Sequence, residues 1–313
     1  MNLSTFNFKL QKCWAIAVVG GSLAIFLSLL CASEWLLATQ VVPGDIFYKQ
    51  LKLYDSHIPV KAVALGDSHM SQGFDAPEGI LNLGLAGESF NQINIKLRNY
   101  LKTHEKPETV ILQISPQMFA DYRFTDDRRD YEAFFGGKWS LETEWYIFDP
   151  NLRSRLIPYW VRFFKGDGFT PRAMFTKQGA LLIRYAMSGK FSEKDLFDVK
   201  ARVEQHVAPD DFMALDVDDA LKDVIQHMKA NGISVCLVTF PVSPVYREIA
   251  SGYPVFSRIL TTIEEMAEHN EVPYFNYWSV YDNYEYFRNQ DHLNDVGAGD
   301  ISKRIVSDCI GNS

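Results

Sequence analysis

The stretch "VKAVALGDSHMSQGFD", which runs from Val60 to Asp75, contains an apolar segment that ends abruptly at a polar turn. Its alternation of small and β-branched apolar residues predicts a buried strand. The turn that follows fits two chemistries. Ser68 would be a nucleophile presented after the first strand of an α/β sheet, or Asp67 and His69 would hold a dinuclear metal centre that cleaves phosphoesters.

Strands and helices alternate on both sides of a long central segment. The first group comprises strands at 60–68, 79–87 and 108–115 and a helix at 89–104. The second group comprises helices at 216–232, 256–270 and 294–310 and strands at 233–244 and 272–278. Because the strands are nearly continuous apolar runs, we expect both of their faces to be covered, as in a parallel sheet. The sequence therefore predicts an α/β fold with a mainly parallel sheet.

The same pattern predicts the domain organisation. Residues 1–38 form a cytoplasmic tip and a transmembrane anchor, 39–118 the first part of the α/β domain, and 211–313 its second part. Residues 119–210 are predicted to be a mostly helical insertion, because the alternation stops after Gln117 and a dense set of aromatic residues follows.

The charge balance excludes one class of partner. The 313 residues include 31 basic and 39 acidic side chains, which gives a formal net charge of −8. A protein whose main partner is nucleic acid needs a basic face that neutralises phosphates. We therefore expect no nucleic-acid partner.

The segment from Cys13 to Ser33 carries no charged residue, and it is long enough to span a bilayer of about 30 Å. Lys9 and Lys12 precede it and Glu34 follows it, so the positive-inside rule places the N-terminus in the cytoplasm. A cleaved signal peptide is the alternative, but the apolar regions of signal peptides usually have roughly 7–15 residues. We expect an uncleaved, single-pass anchor in the inner (cytoplasmic) membrane, with an extracytoplasmic, periplasmic C-terminal domain.

Two of the four cysteines, Cys236 and Cys309, lie after the apolar segment. Two cysteines make neither a disulfide scaffold nor a zinc site. We expect two buried thiols, and a single bridge between them only if the fold brings them together.

A second polar stretch, "FRNQDHLNDVGAGDIS" at 287–302, lies near the C-terminus. His292 stands just before a predicted helix with Asp295 as its N-cap, and together with Ser68 it makes a nucleophile–base pair. With Gly-Asp-Ser at 66–68 and this late histidine, the chain resembles the SGNH, or GDSL-type, hydrolase superfamily. The resemblance covers about residues 60–118 and 211–310. It implies a three-layer, flavodoxin-like α/β/α fold.

The resemblance also implies roles for the residues of the site. Ser68 is the implied nucleophile and His292 the implied base. In the superfamily an aspartate three residues before the histidine supports the imidazole, and this chain has Asn289 at that position. Either the adjacent Asp291 takes the role, or the site is a Ser–His dyad helped by a backbone carbonyl, because an Asn orients the ring without supplying charge.

The oxyanion hole is expected to use the main-chain N–H of Ser68 and that of a glycine after the second strand. Gly84 and Gly87 are the candidates, and Gly84 is favoured. The third block of the superfamily normally brings an Asn side chain. This chain has "LQISPQMF" there instead, so Ser115 or Gln117 is the candidate donor.

The sequence gives less support to the metal centre. Dinuclear phosphoesterases also need a later Gly-Asp pair and a Gly-Asn-His block that supply further ligands. No Gly-Asn-His occurs, and the Gly-Asp pair in "KGDG" at 165–168 lies in the predicted insertion. We therefore expect no metal or other cofactor, and His69 becomes a polar neighbour of the nucleophile. The other histidines are expected on the solvated surface: His57, His104, His206, His227 and His269.

The segment "RSRLIPYWVRFFKGDGFTPR" at 153–172 mixes basic and aromatic residues. One interpretation is a platform that stacks sugar rings and meets acidic polymer groups, or that leans on the membrane surface. The other is a helical cap whose aromatic side chains form a small core of their own. The second is favoured, because aromatic residues are most often buried.

The early "GDSH", the late "DHLN" and the anchor together resemble one branch of the superfamily. That branch handles acyl groups on extracytoplasmic polymers and includes alginate O-acetylation and D-alanine-transfer proteins. The implied function is a serine esterase or O-acyltransferase that acts on acyl groups, chiefly O-acetyl, of a cell-envelope or secreted polysaccharide. A membrane-bound acyl-donor protein is a further implied partner. The alternative is a weakly active or inactive polysaccharide-binding, docking subunit, which the changes at Asn289 and in the third block suggest.

Overall fold

The structure is a computed structural model that describes residues 3–125, 130–166, 174–209 and 217–311. Two compact units make up the chain. The anchor unit contains residues 1–45 and 139–170, and the sheet unit contains residues 46–138 and 171–313. Parts of the segment at 153–172 and the first residue of the helix predicted at 216–232 lie outside the described residues.

Seven strands occur in the described part of the chain: β1 (Ala62–Leu65), β2 (Ile80–Asn82), β3 (Thr109–Gln113), β4 (Met174–Phe175), β5 (Leu181–Leu182), β6 (Ser234–Thr239) and β7 (Tyr274–Asn276). Five of them form one parallel sheet in the order β2-β1-β3-β6-β7. β4 and β5 pair antiparallel in a separate small sheet. The predicted α/β fold with a mainly parallel sheet is confirmed.

The helices, in chain order, are α1 (Leu3–Leu36), α2 (Ile46–Tyr54), α3 (Ser68–Gly73), α4 (Phe90–Thr103), α5 (Tyr122–Thr125), α6 (Tyr131–Gly136), α7 (Leu141–Glu144), α8 (Pro150–Ser154), α9 (Leu156–Lys165), α10 (Glu193–Gln205), α11 (Val217–Ala230), α12 (Pro244–Ala250), α13 (Pro254–His269) and α14 (Asp295–Cys309).

Local sequence fixes several of the helix ends. A capping box starts α4, because the side chain of Ser89 accepts the N–H of Gln92 while the side chain of Gln92 accepts the N–H of Ser89. Gly232 follows α11 with a φ of 71°, a left-handed conformation that glycine adopts readily.

Burial on both faces of the sheet explains the apolar runs of the sequence. Every residue of β1, β2 and β3 is buried. Successive side chains of a strand point to opposite faces, so both faces of this part of the sheet are covered. In the register, Val63 lies between Leu81 of β2 and Val110 of β3.

The strand order places a reversal of direction between β1 and β3. β2 lies on one side of β1 and β3 on the other, and β6 and β7 follow beyond β3. The chain therefore reverses its direction across the sheet after β2. In open parallel sheets, ligands bind beyond the carboxyl ends of the strands at such a switch point. Ser68 follows β1 and Gln113 ends β3, so both lie at this edge of the sheet.

The anchor unit contains α1 and the π-helical turn Leu37–Val41 that continues it. The stretch Ala17–Gly44 is long and apolar enough to cross a membrane by length and composition, with a mean hydropathy of 1.8. Large apolar side chains such as Val19 and Leu23 are exposed along it. Both a membrane anchor and a signal sequence fit this description.

The final helix differs from the prediction at its first turn. Asn294, rather than Asp295, is the N-cap of α14, and its side chain accepts the N–H of Gly297 at 3.0 Å. Asp295 is the first helical residue, where its carboxylate still lies at the positive end of the helix dipole.

The segment predicted as one insertion, residues 119–210, is divided between the two units. Residues 139–170 belong to the anchor unit, whereas residues 119–138 and 171–210 belong to the sheet unit. The part in the sheet unit includes α10 and the small β4–β5 sheet. The predicted insertion therefore contributes directly to the body that carries the parallel sheet.

Cys236 of β6 and Cys309 at the end of α14 form a disulfide, with their Cα atoms 5.6 Å apart. The expectation of two free buried thiols is wrong, because the fold brings the strand and the end of the helix together. Disulfides persist in oxidising compartments and are rare in the cytosol of most organisms.

Removing this disulfide is expected to destabilise the sheet unit. The bond joins residues 73 positions apart, and its loss in Cys236→Ser/Cys309→Ser is expected to lower the free energy of unfolding by about 4 kcal/mol on the chain-entropy account. Urea unfolding of the full chain in detergent, followed by circular dichroism, measures the change. The matched control is Cys13→Ser/Cys31→Ser, and an equal midpoint in the two double variants would contradict the expectation.

Candidate active site

The turn after β1 presents Ser68 at the start of α3. Asp67 is the N-cap of this helix, and its Oδ1 accepts the main-chain N–H of His69 at 2.8 Å. Asp67 and His69 are buried, whereas Ser68 is partly exposed. The turn therefore buries the carboxylate and the imidazole and leaves the hydroxyl accessible.

Gln113 fixes this turn from the neighbouring strand. Its Oε1 accepts the main-chain N–H groups of Asp67 and Met70, both at 3.0 Å, and its Nε2 donates to Asp67 Oδ1 at 2.8 Å. A Cβ at position 66 would collide with the Gln113 side chain. Gly66 is therefore required by this close approach.

A narrow hairpin carries the histidine. Phe287 and Leu293 form an antiparallel bridge, and the N–H of Arg288 donates to the carbonyl of His292 at 3.0 Å. Inside the hairpin, the main-chain N–H of His292 donates to Asn289 Oδ1 at 2.8 Å. These bonds fix the loop just before α14.

The structure brings the residues of the two polar stretches together. Ser68 Oγ lies 2.8 Å from His292 Nε2. On the other side of the ring, His292 Nδ1 lies 3.0 Å from Asp291 Oδ1 and 3.2 Å from Asn289 Oδ1. With a proton on Nδ1, the ring donates to Asp291, and Nε2 is left to accept the hydroxyl proton of Ser68.

The Asp291 carboxylate has a second cationic partner. Its Oδ2 accepts a hydrogen bond from Nε of Arg202, on α10, at 2.9 Å, and Nη2 of the same guanidinium lies 2.9 Å from this oxygen as an ion pair. Burial by itself would raise the pKa of Asp291, but His292 and Arg202 together hold that pKa well below its usual range. Asp291 is therefore ionised at neutral pH and supplies the charge that Asn289 lacks.

The surroundings of His292 favour the neutral form of its imidazole. Burial lowers the pKa of His292 from its ordinary value of 6.5, against the opposing effect of the Asp291 carboxylate. The ring is therefore neutral at pH 7. A neutral imidazole with Nε2 against a serine hydroxyl is the form that acts as a general base.

The two main-chain N–H groups expected to form the oxyanion hole, those of Ser68 and Gly84, differ in whether they already have a hydrogen-bond acceptor. The N–H of Ser68 lies in the first turn of α3, where an N–H has no acceptor within the helix. The N–H of Gly84 instead donates to Asn82 Oδ1 at 3.0 Å. A Cβ at Gly84 would lie only 2.9 Å from that of Met70. The structure therefore gives Gly84 a role in close packing against α3, with its N–H already used.

The two expected side-chain donors face the Asp67 side of the site. Gln117 Nε2 lies 3.0 Å from His69 Nδ1 and 3.4 Å from Asp67 Oδ2. Ser115 is buried, and its Oγ accepts a long hydrogen bond of 3.5 Å from Gln113 Nε2. In this geometry both side chains support the turn around Asp67.

A second Asp–His pair lies directly against the first. The rings of His69 and His292 stack with their centroids 4.6 Å apart. His69 Nδ1 lies 3.1 Å from Asp67 Oδ1, and Asp67 Oδ2 accepts from Arg123 Nη2 at 2.5 Å. Burial alone would raise the pKa of Asp67, but Arg123 and His69 hold that pKa well below its usual range. Each buried carboxylate thus has a histidine and an arginine of its own.

The donor atoms favour a nucleophile–base pair over a metal centre. His69, Asp291 and His292 each offer a possible ligand atom, and these atoms lie within 4.8 Å of one another. Both ring nitrogens of His292 and both oxygens of Asp291 are, however, already hydrogen-bonded to protein groups. A metal ion at this position would have to displace Ser68 or separate Asp291 from its partners. The carboxylate of Asp67 is likewise engaged on both oxygens.

The prediction of a solvated His206 is wrong. Its side chain is buried, its Nδ1 lies 2.8 Å from the hydroxyl of Tyr246, and its Nε2 lies 4.0 Å from Asp291 Oδ2. Burial lowers the pKa of His206 well below its ordinary value. The remaining histidines fall into two groups: His57 and His269 are exposed, and His104 and His227 are partly buried.

Sequence reasoning did not identify three residues that support the site: Gln113, Arg123 and Arg202. The signal for Gln113 was an amide at the end of a fully buried strand. The two arginines lie in the segment predicted as a separate insertion, and nothing local in the sequence connects them with Asp67 and Asp291.

Comparison with known proteins finds weak similarity to several solved hydrolases. No family model and no curated protein matches the chain. A GDSL-like lipase from Bacteroides thetaiotaomicron is 12% identical with a TM-score of 0.43, and the match covers 85% of this chain and 97% of the lipase. A lipase/acylhydrolase from Enterococcus faecalis is also 12% identical, with a TM-score of 0.41. That match covers 81% of this chain and 97% of the other protein. An acetylxylan esterase from Geobacillus stearothermophilus is 10% identical, with a TM-score of 0.39. That match covers 80% of this chain and 94% of the esterase. At these values the similarity assigns no activity, which has to be argued from the site.

Replacing Asp291 is expected to cost more activity than replacing Asn289. Asp291→Asn removes the charge that stabilises protonated His292, and we expect kcat on an aryl acetate to fall by about 10³- to 10⁴-fold. Asn289→Ala removes an uncharged contact, and we expect a loss of about 10-fold or less. Steady-state kinetics measure both, and equal circular dichroism melting curves exclude unfolding. A larger loss in Asn289→Ala would identify Asn289 as the main support of the ring.

The pH profile is expected to follow the depressed pKa of His292. General-base catalysis needs the neutral ring, so kcat/KM falls as the pH drops through the pKa of His292, and that midpoint lies below the ordinary value of 6.5. Above this midpoint the profile should rise to a plateau, because the neutral fraction of the ring approaches one. Initial rates of aryl acetate hydrolysis in constant-ionic-strength buffers measure the acid limb, and a midpoint above 6.5 would contradict the assignment.

Proposed function

We propose that this chain is a serine acyl-transfer enzyme of the SGNH type. It acts as an esterase or O-acyltransferase on acyl groups, chiefly O-acetyl, of a cell-envelope or secreted polysaccharide. The observation that carries the proposal is the 2.8 Å contact between Ser68 Oγ and His292 Nε2, with ionised Asp291 on the far side of the ring. Nucleophile, base and orienting carboxylate are the three roles that acyl transfer through a serine requires.

The proposed mechanism has two halves. Ser68 Oγ attacks the ester carbonyl carbon while its proton passes to His292 Nε2, and the C–O bond to the leaving alcohol then breaks as His292 returns the proton to that oxygen. The acyl group is left on Ser68. In the second half, water or a sugar hydroxyl attacks the acyl carbon, His292 takes the proton of the attacking group, and Ser68 recovers it as it leaves. Asp291 stabilises the imidazolium in both halves.

Esterase and transferase share the first half of this mechanism. They differ only in whether water or a sugar hydroxyl attacks the acyl-serine. The resemblance of "GDSH" and "DHLN" to polymer-acylation proteins supports the transferase slightly. A membrane-bound protein that supplies the acyl group is a partner that the transferase would need.

The proposed location is the extracytoplasmic side of the inner membrane, with α1 as an uncleaved anchor. Two observations support it. The basic residues Lys9 and Lys12 precede the apolar stretch, which favours a cytoplasmic N-terminus. The disulfide between Cys236 and Cys309 fits an oxidising compartment.

A second candidate function is a polysaccharide-binding, docking subunit with little or no activity. Its supporting observation is the oxyanion hole: of the expected donors, the N–H of Gly84 is bonded to Asn82, and Gln117 faces His69 and Asp67. A tetrahedral intermediate stabilised only by the N–H of Ser68 would form slowly, because each lost donor typically costs about 10²- to 10³-fold in rate.

The deciding measurement is a reactive-serine assay on the full chain in detergent. We expect a fluorophosphonate probe to label Ser68 in the wild type, and labelling to be lost in Ser68→Ala and strongly slowed in His292→Ala, because the hydroxyl needs the base. Ser251→Ala, which changes an exposed serine whose Oγ donates to the carbonyl of Glu248, is the matched control and should label normally. Peptide mass spectrometry locates the adduct.

The outcomes separate the two candidate functions. An adduct on Ser68 that depends on His292 supports the enzyme and moves the search to acceptor polymers. No adduct from a folded protein, combined with polysaccharide binding that survives Ser68→Ala, would reject the enzyme and favour the docking subunit.

A further inference from the structure

Helix α9 of the anchor unit carries an apolar face that is exposed in the described part of the chain. Ile157, Val161 and Phe164 lie at spacings of four and three residues, which places them on one side of the helix. They are 77%, 46% and 78% exposed. A soluble protein normally buries such a face, so this one calls for an apolar surface beyond the described part of the chain. The interpretation of this segment as a cap with its own core does not account for these exposures.

Basic side chains flank this apolar face. Arg153 and Arg155 precede it, and Arg162 and Lys165 lie within α9, all four exposed. In the part of the chain that the structure describes, none of the four forms an ion pair with an acidic residue. The helix therefore presents uncompensated positive charge beside its exposed apolar side chains.

The segment that carries α9 packs on the end of the apolar helix α1. The ring of Trp35 meets the edge of Phe163 with centroids 6.3 Å apart, and Trp160 Nε1 donates to Ser33 Oγ at 3.3 Å. The Glu34 carboxylate accepts two main-chain N–H groups from the turn at 146–147, both at 3.0 Å. These contacts lie within one compact unit and attach the basic, aromatic segment to the C-terminal part of the candidate membrane span.

The position and the composition of α9 together identify what covers it. Trp side chains are enriched where a span leaves the hydrocarbon and enters the headgroup region. A helix with Phe and Trp on one face and Lys and Arg on the other lies in that region, with its apolar face towards the acyl chains. Phe163 of α9, which is 39% exposed, also contacts Trp35, which is 54% exposed and lies in the stretch Ala17–Gly44. A lipid surface satisfies both the apolar and the basic groups.

We propose that α9 is a second membrane contact: it lies in the headgroup region of the bilayer that α1 spans, with Ile157, Val161 and Phe164 towards the acyl chains and Arg155, Arg162 and Lys165 on anionic phospholipid headgroups. The proposal rests on α1 being a membrane anchor, and it is independent of the catalytic assignment. It gives the anchor unit two elements on the membrane, of which one recognises lipid charge.

The test uses the full chain in vesicles of phosphatidylcholine with or without phosphatidylglycerol. A Cys13→Ser/Cys31→Ser background leaves only the disulfide-bonded cysteines, so an environment-sensitive fluorophore can be attached at Phe164→Cys. The matched control is Phe197→Cys, since Phe197 is an exposed aromatic residue on α10, 71% exposed. We expect blue-shifted emission and quenching by doxyl-labelled lipid at position 164, and water-like, unquenched emission at position 197.

A third label distinguishes failure of this proposal from failure of the anchor. Cys31 is exposed on α1 and can be labelled in a Cys13→Ser chain. Lipid quenching at Cys31 without quenching at position 164 would overturn the proposal and leave the anchor intact. Absence of quenching at both positions would overturn both.

The charge of the helix is tested in the same assay. In vesicles that contain phosphatidylglycerol, Arg155→Gln/Arg162→Gln should weaken quenching at position 164. The control variant Lys190→Gln/Lys194→Gln removes two exposed lysines of the sheet unit and should leave this quenching unchanged. In pure phosphatidylcholine the two double variants should behave alike. Quenching at position 164 that is insensitive to phosphatidylglycerol and to the arginines would overturn the assignment of anionic headgroups.

Discussion

The pairing of the buried Asp291 carboxylate with Arg202 and His292 is the interaction on which the site depends. Removing a carboxylate from water costs on the order of several kcal/mol unless other groups compensate the charge. Here Arg202 binds one oxygen and the Nδ1 of His292 faces the other. The compensation keeps Asp291 ionised, and an ionised Asp291 fixes the proton of His292 on Nδ1 and leaves Nε2 towards Ser68. The protonation state of His292 therefore depends on a helix, α10, that carries neither Ser68 nor His292.

The same arrangement occurs again one ring away. Asp67 is buried, bonded by Arg123 and Gln113, and close to His69, whose ring stacks on that of His292. Asp67 also caps α3, so its charge fixes the helix whose first residue is Ser68. One carboxylate thus positions Ser68, and the other positions His292.

The sequence predicted the parts of this site that are local in the chain. The turn after the apolar strand and the polar stretch before α14 identified Ser68 and His292 as candidates, and the resemblance to SGNH hydrolases added Asn289 and the adjacent Asp291. It did not predict the contacts that come from far along the chain. Arg202 lies 89 positions from Asp291, and a basic residue in an exposed-looking helix gives no signal of a buried partner. The same limit explains His206, which local composition placed on the surface.

This geometry explains why an asparagine serves at position 289, where the hydrolases that the sequence resembles have an aspartate. An aspartate three residues before the histidine can in principle do two things: accept the main-chain N–H that shapes the turn, and supply charge to the ring. In this chain Asn289 Oδ1 accepts the N–H of His292 at 2.8 Å, which an uncharged amide does well, while Asp291 contacts Nδ1 at 3.0 Å. Only Asp291 also reaches Arg202. A second carboxylate at position 289 would place a further negative charge beside the buried Asp291, whereas an asparagine keeps the hydrogen bond to His292 without that charge.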